Sequence, residues 1–414
     1  MFRVSTLLMA MLMLTACQTV HLSKGRPVNF EKDGDIYVYE SWELPEYLSP
    51  EPNDATLNYY ISKLNNSYWR DARFTVDPQD KTAIGFVSEP MPSKFIEEQL
   101  NNTGLLSYIY YDKGIVKYDG VSPTGRFDVE INNKTPFRSA SAGKSLVSYL
   151  AAHAICKGYI DDVSSPLSDW PLMADTLYGK LRLVDVLDMR AGDQKFVSES
   201  TGVQPTKRWY NSFSLTSFAQ NELKDTAPSE NRTHYYNGLA TNVALNYVAY
   251  KTGDEWSAFL NEVLVEKVGI DDTLTIRRIN TTRTKQDSGA TYGFYARRFD
   301  YLRLGKAILD DWKTNSCVGQ YLKDTMKRRV SKHSGPYPSD GIHSGHRSSK
   351  TYAGQFHFDY VGMEDRNIIG LYGYGGQTVL IDLDEERIVV INAVHSNFDW
   401  KKLALDVIEN GRLP

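Results

Sequence analysis

Two β-hairpins stand at opposite ends of the chain, and the fold has to bring them together or cover each one alone. The first runs from Leu106 to Tyr111 (LSYIYY), turns at Asp112-Lys113-Gly114 and returns from Ile115 to Tyr118, so that a glycine-containing turn joins two β-favouring runs. The second runs from Gln377 to Leu383 (QTVLIDL), turns at Asp384-Glu385-Glu386 and returns from Arg387 to Val394 (RIVVINAV). From about 160 to 345 the pattern reads mostly as helices and loops, including Leu239 to Tyr250 and Tyr301 to Trp312. Trp400, Leu403, Val407 and Ile408 fall on one face of a terminal helix. Strands at both ends around a helical middle predict an α+β fold. Its antiparallel sheet is assembled from distant parts of the chain and flanked by helices, with a mostly helical subdomain over about 145–345.

Residues 1–17 read as a targeting segment. Arg3 supplies a short positive start, and Leu7 to Leu14 is an apolar run too short to cross a bilayer core of roughly 30 Å. The run ends in Leu14-Thr15-Ala16-Cys17, which resembles the bacterial lipobox, whose cysteine takes the lipid. Gln18 follows in place of an aspartate, which by that resemblance favours the outer-membrane route. The reading is a lipoprotein anchored to the membrane through Cys17 and facing the periplasm, with a plain secretory signal as the alternative. Residues 18–100 read as a tether and N-terminal extension, polar and proline-bearing up to about Asn53, with compact structure starting near Leu57. Residues 101–414 are the main body.

The remaining chemistry classes are narrowed by charge and by cysteine and histidine usage. With 47 Lys and Arg against 51 Asp and Glu the net charge is −4 and no sustained basic run exists, which argues against nucleic-acid binding. Beyond Cys17 only Cys156 and Cys317 remain, too few for a disulfide framework or a C-x-x-C zinc pattern. A single disulfide between them is open in an oxidising compartment, but Cys156 lies in an apolar helical pattern and reads better as a buried thiol. The histidines form neither H-E-x-x-H nor H-x-H, so neither metal nor cofactor is expected.

Nucleophilic chemistry is suggested at Ser141-Ala142-Gly143-Lys144, the only Ser-x-x-Lys in the chain. Apolar residues at Leu146, Val147, Leu150, Ala151, Ala154 and Ile155 place this tetrad at the start of a helix that Lys157-Gly158 closes. Residues three apart share a helix face, so the Lys144 amine can reach the Ser141 hydroxyl. A lysine removes a serine proton only when burial or nearby positive charge brings its pKa down from about 10.4. A helix start also leaves the Ser141 N–H free to face a developing oxyanion. Taken alone, the motif is equally a capping serine beside a solvated lysine.

From about 106 to 396 the chain resembles the serine β-lactamase and penicillin-binding superfamily. The similarity is to its class C-like branch, which also holds DD-peptidases, esterases and 6-aminohexanoate-dimer hydrolases. Thr135-Pro136-Phe137-Arg138-Ser139-Ala140-Ser141-Ala142-Gly143-Lys144-Ser145 is similar to the family's nucleophile segment. Gly158 to Val163 and Val186 to Gly192 follow in the family's order. The resemblance implies a β-lactamase/DD-peptidase-like fold with Ser141 as nucleophile and Lys144 as base. The family's Tyr-x-Asn looks like Tyr235-Tyr236-Asn237. It assigns Tyr235 to the proton relay, with Tyr236 as its one-residue rival, and Asn237 to orienting Lys144 and donating to a substrate oxygen.

The family's Lys-Thr-Gly strand has two candidates. Lys251-Thr252-Gly253 spells it, but at a helix C-terminus, where glycine ends helices. The other is Gly370-Leu371-Tyr372-Gly373-Tyr374-Gly375-Gly376-Gln377, leading into a strand. That alignment implies that Gly373, Tyr374 and Gly376 bind substrate, the Tyr374 N–H being the second oxyanion donor. It has Leu371 where the family has a cation for a substrate carboxylate, so the expected small-molecule acyl substrate is uncharged or differently anchored.

Two rival readings use the same residues. Ser139-Ala140-Ser141-Ala142-Gly143 approximates an α/β-hydrolase nucleophile elbow with His395 as base, but such an elbow requires a buried strand before the serine, and Asn132 to Pro136 is not one. His395 itself reads more simply as a surface or loop histidine. The second rival is a non-catalytic lipoprotein that uses the fold for binding.

Overall fold

The computed structural model describes residues 72–79, 83–197, 215–278, 289–332 and 345–414, with isolated positions and three backbone strands before them. Residues 1–17, with Cys17, lie outside the described residues. Strands β1 (Gln18–Leu22), β2 (Arg26–Asp33) and β3 (Ile36–Tyr39) form a small antiparallel sheet in that order. Among the described residues the main sheet has nine strands: β5 (Val87–Ser88), β6 (Leu105–Asp112), β7 (Ile115–Val121), β11 (Val330–Ser331), β12 (Ser349–Ala353), β13 (Phe356–Tyr360), β14 (Ile368–Gly373), β15 (Gln377–Asp382) and β16 (Arg387–Ala393). They lie in the order β11-β12-β13-β14-β15-β16-β6-β7-β5. Both expected hairpins are present, and they meet where β16 pairs antiparallel with β6, Val390 opposite Ile109.

Both faces of this sheet are covered, which explains why its strands read as nearly continuous apolar runs. On β16, Ile388 and Val390 join the core against the helical part, while Val389 and Ile391 join the core against the chain's terminal segments. The second face is closed by α1 (Lys94–Asn102) through Ile96 and Leu100, and by the C-terminal turns through Leu403, Val407 and Ile408. On the first face lie α2 (Gly143–Cys156), α3 (Gly238–Thr252) and α4 (Arg298–Thr314), followed by α5 (Cys317–Lys327). Helix α4 seats Gly305 against Val379 and Ile388, where a Cβ would come within 3.1 Å of Val379. Arg298, at its start, is buried and donates to Ser107 Oγ at 2.8 Å and pairs with Asp119, tying α4 to the β6–β7 hairpin. Among the described residues no helix is long and apolar enough to cross a membrane.

Three expectations need correction. The middle of the chain is not only helix and loop. Strands β4 (Ala72–Val76), β8 (Pro136–Arg138), β9 (Leu274–Arg278) and β10 (Ala290–Arg297) form a second sheet, ordered β4-β9-β10-β8. Its members are short and rich in Arg and Thr, so no clean period of two was visible. Nor does the body begin at 101. Strand β4 pairs with β9, β5 with β7, and Leu57 and Ile61 are buried in the core, so much of the extension is part of the domain.

The third correction is that Cys156 is not a free thiol. It forms a disulfide with Cys317, joining the last residue of α2 to the first of α5 across 161 positions. Closing so long a loop removes much of the unfolded chain's freedom. Replacing both cysteines by serine is expected to lower unfolding stability by roughly 2–5 kcal/mol. Urea denaturation with and without reductant checks this: reductant should shift the wild-type midpoint and leave the double variant unmoved.

Candidate active site

Ser141 lies in a single 3-10 turn, Ala140–Ala142, that runs directly into α2. Ala140 takes φ +46°, a left-handed conformation that costs an L-residue about 1–2 kcal/mol and so needs support from its surroundings. The support is a clamp. The Ser139 N–H donates to Phe294 O at 2.8 Å, and the Phe294 N–H returns to Ser139 Oγ at 2.9 Å, fixing the turn to β10. Gly143 packs so closely on β10 that a Cβ there would overlap the Tyr292 carbonyl. On the opposite side Gly373 packs on the turn itself, where a Cβ would overlap the Ser139 carbonyl. The nucleophile candidate is thereby held between β10 and β14, half-buried, at the N-terminus of a 14-residue helix.

Lys144 is 1% exposed. Its Nζ lies 3.4 Å from the centroid of the Tyr292 ring and 5.0 Å from that of Tyr236, both within cation–π range. Tyr236, the one-residue rival of Tyr235, thus has its ring within cation–π range of Lys144. Tyr235 is partly exposed, its N–H held by Met189 O at 2.7 Å and its hydroxyl donating to Val197 O at 3.4 Å.

Asn237 is committed elsewhere than the resemblance implied. Its Oδ1 accepts the Ala240 N–H at 2.9 Å and caps α3, while its Nδ2 donates to both oxygens of Asp193 at 3.2 Å and to Tyr235 O at 3.1 Å. Side-chain donors and acceptor are all turned toward the scaffold, so Asn237 anchors the tyrosine loop. Asp193 is fully buried and also receives the Tyr178 hydroxyl at 2.5 Å. Burial pushes its carboxyl up to about 6, even though the bonds from Tyr178 and Asn237 oppose that rise. Sequence reading missed Asp193 and Tyr178. The only hint was that Asp193 directly follows the Ala191-Gly192 segment, and nothing local connects it to a residue 44 positions on.

The glycine-rich segment ends β14 in a tight turn. The Gly376 N–H donates to Gly373 O at 3.2 Å, with Gly375 at φ +80°, Gly376 at φ +98° and Tyr374 exposed between them. Both positive angles fit glycine. Gln377, next in line, is buried, donating to Ala393 O and accepting from Asn392 Nδ2 at 3.3 Å, which pins the turn to β16. Leu371 is buried in the core opposite Val379, so an aliphatic side chain stands where the resemblance has a cation. Lys251-Thr252-Gly253 is helix punctuation: Thr252 bonds back to Val248 O, Gly253 ends α3 at φ +55°, and Lys251 pairs with Asp169 at 2.8 Å. The elbow reading fails because β8, which precedes Ser139, pairs antiparallel with β10 in the smaller sheet. His395 is buried, not at the surface, and among the described residues its ring nitrogens have no hydrogen-bond partner.

No family model and no curated protein matches the chain. Solved structures do. One described as a 6-aminohexanoate-dimer hydrolase from Bacillus anthracis is 14% identical, with a TM-score of 0.62, over 86% of this chain and 95% of that one. A protein described as a β-lactamase from Bacteroides dorei is 15% identical, with a TM-score of 0.51, over 73% and 92%. A penicillin-binding protein from Bacillus halodurans is 16% identical, with a TM-score of 0.50, over 74% and 97%. At these identities the likeness is one of fold. The chain has the α+β fold of serine β-lactamases and penicillin-binding proteins, as its motifs led us to expect.

Two outcomes follow from this geometry. Asp193 has a folded-state pKa above its ordinary 3.8, so ionising it opposes folding, and the stability it leaves intact at low pH is lost as pH rises from about 4 to 6. At ~1.4 kcal/mol per unit the loss is on the order of 3 kcal/mol, and Asp193→Asn should remove that slope when urea midpoints are compared across the window. Gly373→Ala should cost at least about tenfold in turnover and also lower the melting temperature, because the added carbon would lie 2.2 Å from the Ser139 carbonyl oxygen, a backbone atom that has to shift to admit it.

Proposed function

We propose that the protein is a serine acyl hydrolase that cleaves an ester or amide through a covalent acyl-enzyme on Ser141. The observation that carries this reading is the clamped turn, which holds Ser141 at a helix N-terminus beside the glycine turn and three residues from a buried Lys144. Ser141 Oγ attacks the acyl carbonyl while its proton passes to Lys144 and Tyr235. The Ser141 and Tyr374 N–H groups hold the oxyanion, Tyr235 protonates the leaving group, and water then releases the acyl group by the reverse relay. With Leu371 in place of a cation, the acyl substrate is uncharged or anchored differently from a β-lactam or a D-Ala-D-Ala peptide. Asn237 acts by positioning. The lipobox at Cys17 and a disulfide that suits an oxidising compartment support a lipid-anchored envelope location.

The test is labelling followed by intact-mass measurement, with a fluorophosphonate and an activated ester. Wild type should gain one covalent adduct and Ser141→Ala none. Lys144→Ala and Tyr235→Phe should remain folded and lose at least about a hundredfold in turnover, and Tyr236→Phe should lose far less. If Tyr236→Phe were the silent variant's opposite, with Tyr235→Phe retaining turnover, the relay would pass to Tyr236. If no acyl donor ever labelled Ser141, the non-catalytic reading would stand.

A further inference from the structure

The β12–β13 hairpin reaches into the helical side of the domain and ends at Gln355, a residue that the proposed reaction does not use. Ala353 pairs with Phe356, so Gly354 and Gln355 form a two-residue turn, at φ +51° and +66°. A turn of this length takes left-handed conformations that glycine and asparagine adopt most readily. Gln355 stands there all the same, 1% exposed.

Its amide is matched on both sides. Nε2 donates to Leu187 O at 2.7 Å and to Val186 O at 3.3 Å, at the end of the short helix Leu183–Leu187. Oε1 accepts the Thr241 hydroxyl at 2.9 Å and the Tyr352 hydroxyl at 3.4 Å. The final carbonyls of a helix lack their regular helical partner, and a carbonyl can only accept, so reversing the amide would set oxygen against oxygen. The main chain adds two bonds: the Gln355 N–H donates to Leu187 O at 3.0 Å, and Gln355 O accepts the Ser145 hydroxyl at 2.6 Å. One residue earlier, the Gly354 N–H donates to Asp188 Oδ1 at 2.6 Å, and Arg328 holds the same carboxylate at 3.0 Å.

These bonds lead to the separate parts of the candidate site. Ser145 follows Lys144 in the first turn of α2, and Thr241 stands one turn on from Asn237, the cap of α3. Leu187 comes two residues before Met189, whose carbonyl holds the Tyr235 N–H at 2.7 Å. We propose that Gln355 is a positioning residue that locks the helix bearing Lys144, the loop bearing Tyr235 and helix α3 into one arrangement, and so sets the spacing between the amine and the tyrosine loop. The kinetic half of this proposal rests on the hydrolase reading, and the mechanical half does not.

Two variants separate the amide from the main chain. Gln355→Gly suits φ +66°, retains both main-chain bonds and deletes only the amide. It should lower kcat on an activated ester about tenfold with KM unchanged. Gln355→Glu keeps an acceptor for Thr241 but can donate to Leu187 O only while protonated, and burial raises a carboxyl above its ordinary value of about 4.3. Its kcat relative to wild type should therefore be highest at low pH and fall as pH rises through that raised value. Asp188 with its partner Arg328, Lys144, and the His234 and His357 rings against Tyr352 are common to both proteins, so the ratio reads the introduced carboxyl.

Hydrogen exchange followed by mass spectrometry, on the full chain without substrate, should show Gln355→Gly losing protection over 143–148 and 234–241 while keeping it over 377–393. Should Gln355→Gly not fold, Thr241→Val removes one bond at nearly equal volume and should lower kcat at unchanged KM. Wild-type kcat in the folded variant, a loss that falls on KM alone, a flat pH ratio for Gln355→Glu, or unchanged exchange in both segments overturns the proposal. An absence of Ser141 labelling in wild type refutes the hydrolase reading instead, and exchange then decides by itself whether Gln355 couples these segments.

Discussion

The pair of hydrogen bonds between Ser139 and Phe294 is the constraint on which the rest of the site depends. It pins a turn whose Ala140 occupies a conformation that alanine avoids, and the two close approaches at Gly143 and Gly373 leave that turn nowhere to relax. Because the clamp draws on β10 from the smaller sheet and β14 from the larger, it works only when both sheets are complete. The nucleophile's position is thus a property of the whole domain. A short sequence motif produces reactivity only when something rigid surrounds it, and here the rigidity comes from main-chain contacts that side-chain substitutions elsewhere leave intact.

Around this turn the domain sets buried groups of different kinds. Lys144 Nζ lies over the ring faces of Tyr292 and Tyr236. Asp193 is held by neutral donors, Tyr178 and Asn237, and anchors the loop bearing both candidate tyrosines. Neither arrangement is chosen for stability: a carboxylate buried among neutral partners costs more than an apolar residue of similar volume. Each fixes one orientation of a loop or a side chain, which is what a preorganised site requires.

How far the sequence anticipated this depended on the range of the interaction. The hairpins at 106–118 and 377–394 were legible because turn glycines and β-favouring runs are local signals, and the Ser141 and Lys144 relation because it lies within one helical turn. The fold class followed from both. Strands β9 and β10 were hidden: LTIRR and ATYGFYAR contain arginine, threonine and glycine, and become strands only through pairing with each other and with β4 and β8. Asn237 was legible as a motif position but not as a partner of Asp193, since a contact 44 residues away leaves no local trace. The Cys156–Cys317 bond was hidden for the same reason, apolar spacing around Cys156 being equally consistent with a free thiol.

The pairing of β16 with β6 has a consequence for how the molecule comes into being. Strand β6 is finished by Asp112, yet its neighbour on one side is complete only at Ala393. A growing polypeptide therefore carries an apolar, half-paired edge through most of its synthesis, and its contact order is high. The glycine turn at Gly373 to Gly376 lies within the last tenth or so of the chain. A nascent form that ends before Gly373 lacks the contact that packs on Ser139, so the candidate site is assembled late in synthesis.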